Sequence, residues 1–289
     1  MPDVSTALRF ARHDEGHLAA FTLIELLVVI SVIVMLVAIL LPTVHRVRKQ
    51  AAGTVCQSKL RQWAFLFSPD TTQDLDKPVF RPERARWIGP LYGWPEGEWL
   101  PEMVYRYGPQ VRDLFLCPIA SRPERADGQG ARGSTFYTWC FARAADQKGP
   151  VVDKGSYGIN PGVYNMGIPS VDGEKYSGSA HWAAPPPGTE AAYVPVLLDS
   201  GCVVAWYMDY RSPPPPYEGC PSSGYDICIN RHDGGINVLF VDWSVHKVGL
   251  KELWTLRWNR DFDPRGPWTK AGGVKPEDWP QWLRRFKDY

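Results

Sequence analysis

Net charge is almost absent from this chain: 32 lysines and arginines are interspersed with 31 aspartates and glutamates over 289 residues, a formal +1. Phosphate backbones are held by clustered cations, so this balance excludes nucleic acid as the main partner. The chain also has no Cys-x-x-Cys pair, the ligand spacing of zinc fingers and ribbons. No nucleophile elbow, phosphate loop or His-Glu-x-x-His occurs either, and no enzymatic activity is expected. What the chain has instead is 13 Trp, 27 Pro and 26 Gly, a composition for short strands, many turns and an aromatic-rich core.

Only one segment is long and apolar. Residues 21–41 form a run of 21 residues with a single carboxylate, Glu25, about 31 Å long as a helix and enough to cross a bilayer. It exceeds the 7–15-residue core of a cleaved secretory signal, and no small-residue cleavage site follows it. An acid at the centre of a lipid-facing helix costs roughly 2.5–3.5 kcal/mol or more, so Glu25 calls for a partner. Arg9 and Arg12 precede the span while Arg46, Arg48 and Lys49 follow it, a distribution that does not choose an orientation.

The order Phe21-Thr22-Leu23-Ile24-Glu25-Leu26-Leu27-Val28-Val29-Ile30 resembles the N-terminal signature of type IV prepilins and type II secretion pseudopilins. That resemblance implies cleavage between Ala20 and Phe21 by a prepilin peptidase, methylation of the new amine on Phe21, and a filament whose register Glu25 helps to set. The amine of a neighbouring subunit then neutralises the carboxylate. Ala20 stands where the family has Gly. The implied partners are other pilin or pseudopilin subunits and the peptidase. The implied location is the inner membrane, single-pass, with the leader in the cytoplasm and the C-terminal head in the periplasm or outside the cell.

Pro42, where pilins often carry a proline, is expected to kink the helix. The helical pattern continues to Phe67, with Val44, Val47, Ala51, Val55, Trp63, Ala64 and Phe67 as an inner stripe and Arg46, Lys49, Gln50, Gln57 and Lys59 as an outer one. Gly53 weakens its middle, and Ser68-Pro69-Asp70 is expected to stop it. Strands are expected over 135–141, 156–160 and 193–199, and a hairpin over 235–241 and 245–248, followed by a short amphipathic helix over 250–258. The proline run 213–216 reads as an extended surface loop. The fold class is therefore α+β and pilin-like: a leader (1–20), a transmembrane helix (21–41), its continuation (42–67), and a head (68–289) with an antiparallel sheet and loop-rich insertions.

His232 and Asp242 are nine residues apart, similar to the His-nine-Asp-Gly pattern of prepilin-like families expanded in Planctomycetes and their relatives. Trp243 replaces the Gly. A two-residue Asp-Gly turn needs a positive φ that Trp disfavours, so a wider turn is expected. His232 and Asp242 are expected to bridge the hairpin and its incoming loop by hydrogen bonds. Asp199, Asp233 and Asp242 are the oxygen donors a Ca²⁺ ion would use, but they fall short of the six or more it takes, so no cofactor is expected. Six cysteines suit disulfides outside the cytoplasm, Cys220 with Cys228 and Cys117 with Cys140 being the nearest pairings, with free buried thiols as the alternative. A different functional class is a membrane-anchored carbohydrate-binding module stacking sugars on Trp87, Trp94, Trp99 or Trp182.

Overall fold

A computed structural model describes residues 23–72, 108–123, 132–146, 149–163, 182, 188–205, 209–220 and 225–289. Helix α1 spans Leu23–Thr72. Every described residue from Leu23 to Leu41 is exposed, and the helix is long and apolar enough to cross a membrane. Pro42 lies within it. A proline there removes the donor to the Ala38 carbonyl, and at the next residue Thr43 Oγ1 donates to the Leu40 carbonyl at 2.7 Å. The expected stop at Pro69 does not occur, and the helix runs to Thr72. Pro69 deletes a single backbone donor, and three residues complete the last turn beyond it. Leader residues 1–20, the junction Ala20–Phe21, and Trp87, Trp94 and Trp99 lie outside the described residues.

The chain divides into two compact units, residues 1–47 and 48–289. Within the second, the inner face of α1 is Cys56, Leu60, Trp63, Ala64 and Phe67, a stripe with helical spacing. Trp63, Ala64 and Phe67 are as the sequence predicts, but Val44, Val47, Ala51 and Val55 are exposed. The true stripe is phased through Cys56 rather than Val55. Trp63 stacks on Phe115 with centroids 5.0 Å apart and donates its indole N–H to the Leu114 carbonyl at 3.0 Å. Full burial of Leu60 and Phe67 stabilises by roughly 1.5–3 kcal/mol each. Two residues of the expected outer face, Gln57 and Lys59, are half-buried. Lys59 Nζ donates to the carbonyls of Asp113 and Leu116 at 2.8 and 2.9 Å.

Two sheets follow. In the first, β1 (Arg122–Pro123) pairs in parallel with β2 (Tyr137–Asp146), which pairs antiparallel with β3 (Gly149–Gly155). The second is fully antiparallel, ordered β4 (Tyr157–Ile159), β5 (Pro195–Asp199), β6 (Gly235–Phe240), β7 (Val245–Gly249). The β-branched and apolar runs behind β5, β6 and β7 make these the strands most visible in sequence. Strands β5 and β6 are buried throughout. Alternation along β6 sends Leu239 into one core with α1, and Ile236, Val238 and Phe240 into the other.

The second core is closed by residues 250–289. The expected helix over 250–258 is a single 3₁₀ turn, Glu252–Thr255, because Leu250, Leu253, Trp254, Leu256 and Trp258 all bury. At helical spacing those five positions would spread over more than half of the helix circumference, so one helix could not turn them all to the same core. Buried Lys251 pairs with Asp288 at 2.6 Å and lies 4.9 Å above the Trp279 ring. In the proline run, Pro214 and Pro215 are buried, and the Pro215 carbonyl accepts from the Trp282 indole at 2.9 Å. That run is therefore half packed rather than a free loop.

The β6–β7 turn is wider than two residues, as expected. The Trp243 amide donates to the Phe240 carbonyl and the Phe240 amide to the Ser244 carbonyl, each at 2.9 Å, enclosing a three-residue loop. Trp243 nevertheless takes the positive φ, at 66°. Its indole packs on the first core, which offsets a left-handed backbone cost of about 1–2 kcal/mol.

Gly53 is the replaceable weak point of α1. A Cβ there would meet only His232 Nδ1, at 3.5 Å, an ordinary contact. Gly53→Ala is expected to stabilise the full-length protein in detergent by about 0.5–1 kcal/mol, read as a higher urea midpoint by tryptophan fluorescence. A lower midpoint would show that this contact is tighter than its distance implies.

Candidate functional site

Six separate segments of the second unit converge on one buried polar centre. Helix α1 supplies Cys56 and the segment after Pro109–Phe115 supplies Cys117. Tyr157 comes from β4 and Asp199 from the end of β5. Arg231 and His232 lie in the loop before β6, and Asn237 within it. Asp199 is two residues beyond Leu197, which packs in the core with α1, so strand alternation turns its carboxylate toward the same side.

Arg231 and Asp199 have no solvent exposure, and Arg231 Nη1 donates to Asp199 Oδ1 at 3.1 Å. The rest of the guanidinium is fully used. Nη1 also donates to the Ser156 carbonyl, Nη2 to the carbonyls of Ser134 and Ser200 at 2.7 and 3.3 Å, and Nε to that of Thr135 at 3.4 Å. Five N–H groups thus meet five acceptors, the full capacity of an arginine. The second carboxylate oxygen, Oδ2, takes the Asn237 amide at 2.8 Å and His232 Nε2 at 3.0 Å.

The sulfurs join the same centre. Cys117 Sγ lies 3.5 Å from His232 Nε2, and Cys56 Sγ lies 3.7 and 3.8 Å from the two Asp199 oxygens. Tyr157 donates its hydroxyl to Cys56 Sγ at 3.1 Å. His232 Nδ1 is buried without a hydrogen-bond partner among the described residues. The ligand atoms of Cys56, Cys117, Asp199 and His232 all lie within 4.8 Å of one another.

Charge sets the protonation states. Burial pushes His232 down, but the Asp199 charge and hydrogen bond, helped by Cys117, raise it to about 9. Burial raises Asp199, and its contacts with His232, Arg231 and the Asn237 amide more than reverse this, leaving it below the usual carboxylate range. Burial also raises the Cys117 thiol, and hydrogen bonds from Cys56 and His232 with the Arg231 charge bring it below the ordinary thiol value. Cys56 is pushed well up, by burial first. Near pH 7 these shifts favour an imidazolium at His232 and a thiolate at Cys117 beside the Arg231–Asp199 pair.

Acyl-transfer chemistry does not fit this arrangement. A cysteine triad orients its histidine by one ring nitrogen and activates sulfur with the other, whereas Nε2 here faces both Asp199 and Cys117. The seven side chains of the centre are also each 7% exposed or less.

The structure brings together Asp199, His232 and Cys117 from the residues singled out by sequence, and separates the rest. Asp233 is exposed, and Asp242 is exposed in its turn, accepting the Ser244 amide at 3.0 Å. The oxygen set proposed for Ca²⁺ is therefore not assembled: Asp199 is committed to Arg231, His232 and Asn237. Nor do His232 and Asp242 bridge the hairpin, since His232 turns to Asp199. All six cysteines are free. Neither 117–140 nor 220–228 pairs, because Cys117 faces Cys56 and His232 while Cys228 is buried in the second core. Trp182 is half-buried against the first core. Cys56, Arg231 and Tyr157 escaped the sequence reading as site residues. The Arg231-His232 dipeptide was the one local signal, two basic side chains just ahead of a strand that is apolar except for Asn237.

No family model, curated protein or solved structure matches the chain.

Asp199→Asn leaves Arg231 buried without its counter-ion, and is expected to destabilise the head by about 3–5 kcal/mol, measured by urea denaturation of the full-length protein. An effect below about 1 kcal/mol would mean that the pair is dispensable. His232 contributes stability that is full below pH 6.5 and lost as pH rises through about 9. Cys117, shifted down, contributes the opposite slope, present above its unfolded value and lost as pH falls. In reducing, chelator-containing buffer the two offset, so wild-type stability is expected to stay nearly flat from pH 6.5 to 9. Cys117→Ser uncovers the histidine, and its stability should fall by about 2 kcal/mol across that range. Equal slopes in the two proteins would refute the ion-pair assignment.

Proposed function

We propose that this chain is a prepilin-like structural subunit, anchored by the N-terminal part of α1 in the inner membrane and built to assemble into a pseudopilus- or pilus-like filament. The observation that carries the reading is the apolar surface of α1 from Leu23 to Leu41, exposed along its whole length, in the segment that resembles the prepilin signature. So much apolar surface must be covered, first by lipid and then by the same helix of neighbouring subunits. In this reading the leader stays in the cytoplasm and the peptidase cuts after Ala20. The methylated amine of Phe21 then meets Glu25 of the next subunit, where opposite charges in a low-dielectric bundle attract strongly. The α+β head behind the helix, with an antiparallel sheet packed on residues 56–67, is compatible with a pilin-like layout. Its centre is buried, which favours a scaffold over a catalyst.

Mass spectrometry of the N-terminus from isolated membranes is expected to find a methylated Phe21. An intact first twenty residues would overturn the proposal. Glu25→Ala is expected to leave an inserted, cleaved subunit whose recovery in sheared filaments falls about tenfold or more. Undiminished recovery would remove Glu25 from the assembly contact.

A further inference from the structure

We propose that Cys56, Cys117, Asp199 and His232 are the four ligands of a tetrahedral metal site, selective for Zn²⁺ or a cation of the same borderline-soft class. The inference is independent of filament assembly and rests on the geometry of the buried centre. Two sulfurs, one imidazole nitrogen and one carboxylate oxygen are a donor set that zinc accepts and that calcium or magnesium does not. Metal–sulfur bonds of about 2.3 Å and metal–nitrogen or metal–oxygen bonds of about 2.0–2.1 Å give a tetrahedron with edges of roughly 3.3–3.8 Å. With Asp199 Oδ2 as the carboxylate vertex, the Cys117–His232 edge is 3.5 Å, the Cys56–Asp199 edge 3.8 Å and the His232–Asp199 edge 3.0 Å. Of these three edges only the last must open, by a few tenths of an ångström, and all four ligand atoms lie within 4.8 Å of one another. All four side chains are buried, which suits a closed structural site rather than a catalytic one with an open position.

The surrounding groups fit the charge. A dication bound by two thiolates and a carboxylate leaves one negative charge, and the fully buried guanidinium of Arg231, 3.1 Å from Asp199 Oδ1, neutralises it. Arg231 and the Asn237 amide then serve as the outer hydrogen bonds that orient the ligating carboxylate. Tyr157 does the same for the Cys56 sulfur. Entry of the metal displaces two protons from the ligand set, and nothing is oxidised or reduced. The four ligands come from α1, the segment before β1, β5 and the loop before β6, so the ion would tie residues 48–72 of the helix to the head. No Cys-x-x-Cys spacing signals such a site, because each ligand comes from a separate segment.

The test uses the full-length protein purified in detergent under reducing conditions without chelator. Plasma mass spectrometry is expected to find about one zinc per chain, falling at least about tenfold in Cys56→Ser and in Cys117→Ser but not in Cys220→Ser. Because a site variant can fail to fold, wild-type protein stripped by chelator is also reloaded with Co²⁺. It should develop thiolate-to-cobalt charge-transfer absorption, and its thermal midpoint should rise on reloading. Wild-type protein that holds less than about a tenth of an equivalent of zinc and gives no cobalt–thiolate band overturns the proposal. So does a Cys56–Cys117 disulfide peptide in a non-reduced digest of protein from the native membrane.

Discussion

The buried pair of Arg231 and Asp199 is the contact on which the head's architecture rests. A guanidinium with no access to water must find five acceptors, and it finds them on Ser134, Thr135, Ser156, Ser200 and Asp199. Those acceptors belong to the approach to β2, the β3–β4 junction, the end of β5 and the residue after it. The two sheets are thus referenced to one side chain. A buried ion pair contributes little net stability compared with an apolar replacement, but each partner makes loss of the other costly. The pair therefore acts mainly on specificity, fixing which loop lies against which strand.

Around that pair the hydrophobic layers are conventional in their physics. Strands β5 and β6, buried on both faces, separate a core shared with α1 from a core filled by the Trp-rich residues 250–289. The second core accounts for part of the tryptophan content, since Trp254, Trp258 and Trp279 are almost fully enclosed. It also explains why the last forty residues form turns rather than a helix. Buried side chains crowd residues 250–258 and thin out beyond them, a spacing that no single helix face provides, and 3₁₀ turns with frequent indole N–H to carbonyl bonds serve the backbone and the rings together.

Legibility in the sequence followed the range of the contacts. The span from Leu23 needed only length and composition, and β5, β6 and β7 needed only runs of β-branched residues. The phase of α1 beyond Gly53 was harder. Val55 and Cys56 are neighbours, both phases contain apolar residues, and only packing against β4 and β5 selects Cys56. The centre was legible as single residues, Asp199 and His232, but not as a constellation. Cys56 and Asp199 are 143 positions apart and Cys117 and His232 are 115 apart. No periodicity links them, and aspartates nearby in sequence, Asp233 and Asp242, competed for the same role. At Trp243 the turn width followed from local chemistry, but the left-handed backbone did not, because it depends on a distant core accepting the indole.

The ends of the four-stranded sheet bear on how copies of this protein can meet. At one end β4 is three residues long, and its outer side is already occupied by the backbone of residues 203–205 through Ile159. At the other, β7 presents exposed His246 and Lys247, and a lysine on a border strand discourages annealing to a second chain. Among the described residues of this sheet, then, little main chain is available for lateral stitching of one head to another. Crowded heads would therefore have little tendency to stack edge to edge through this sheet, and any lateral contact it makes falls to side chains.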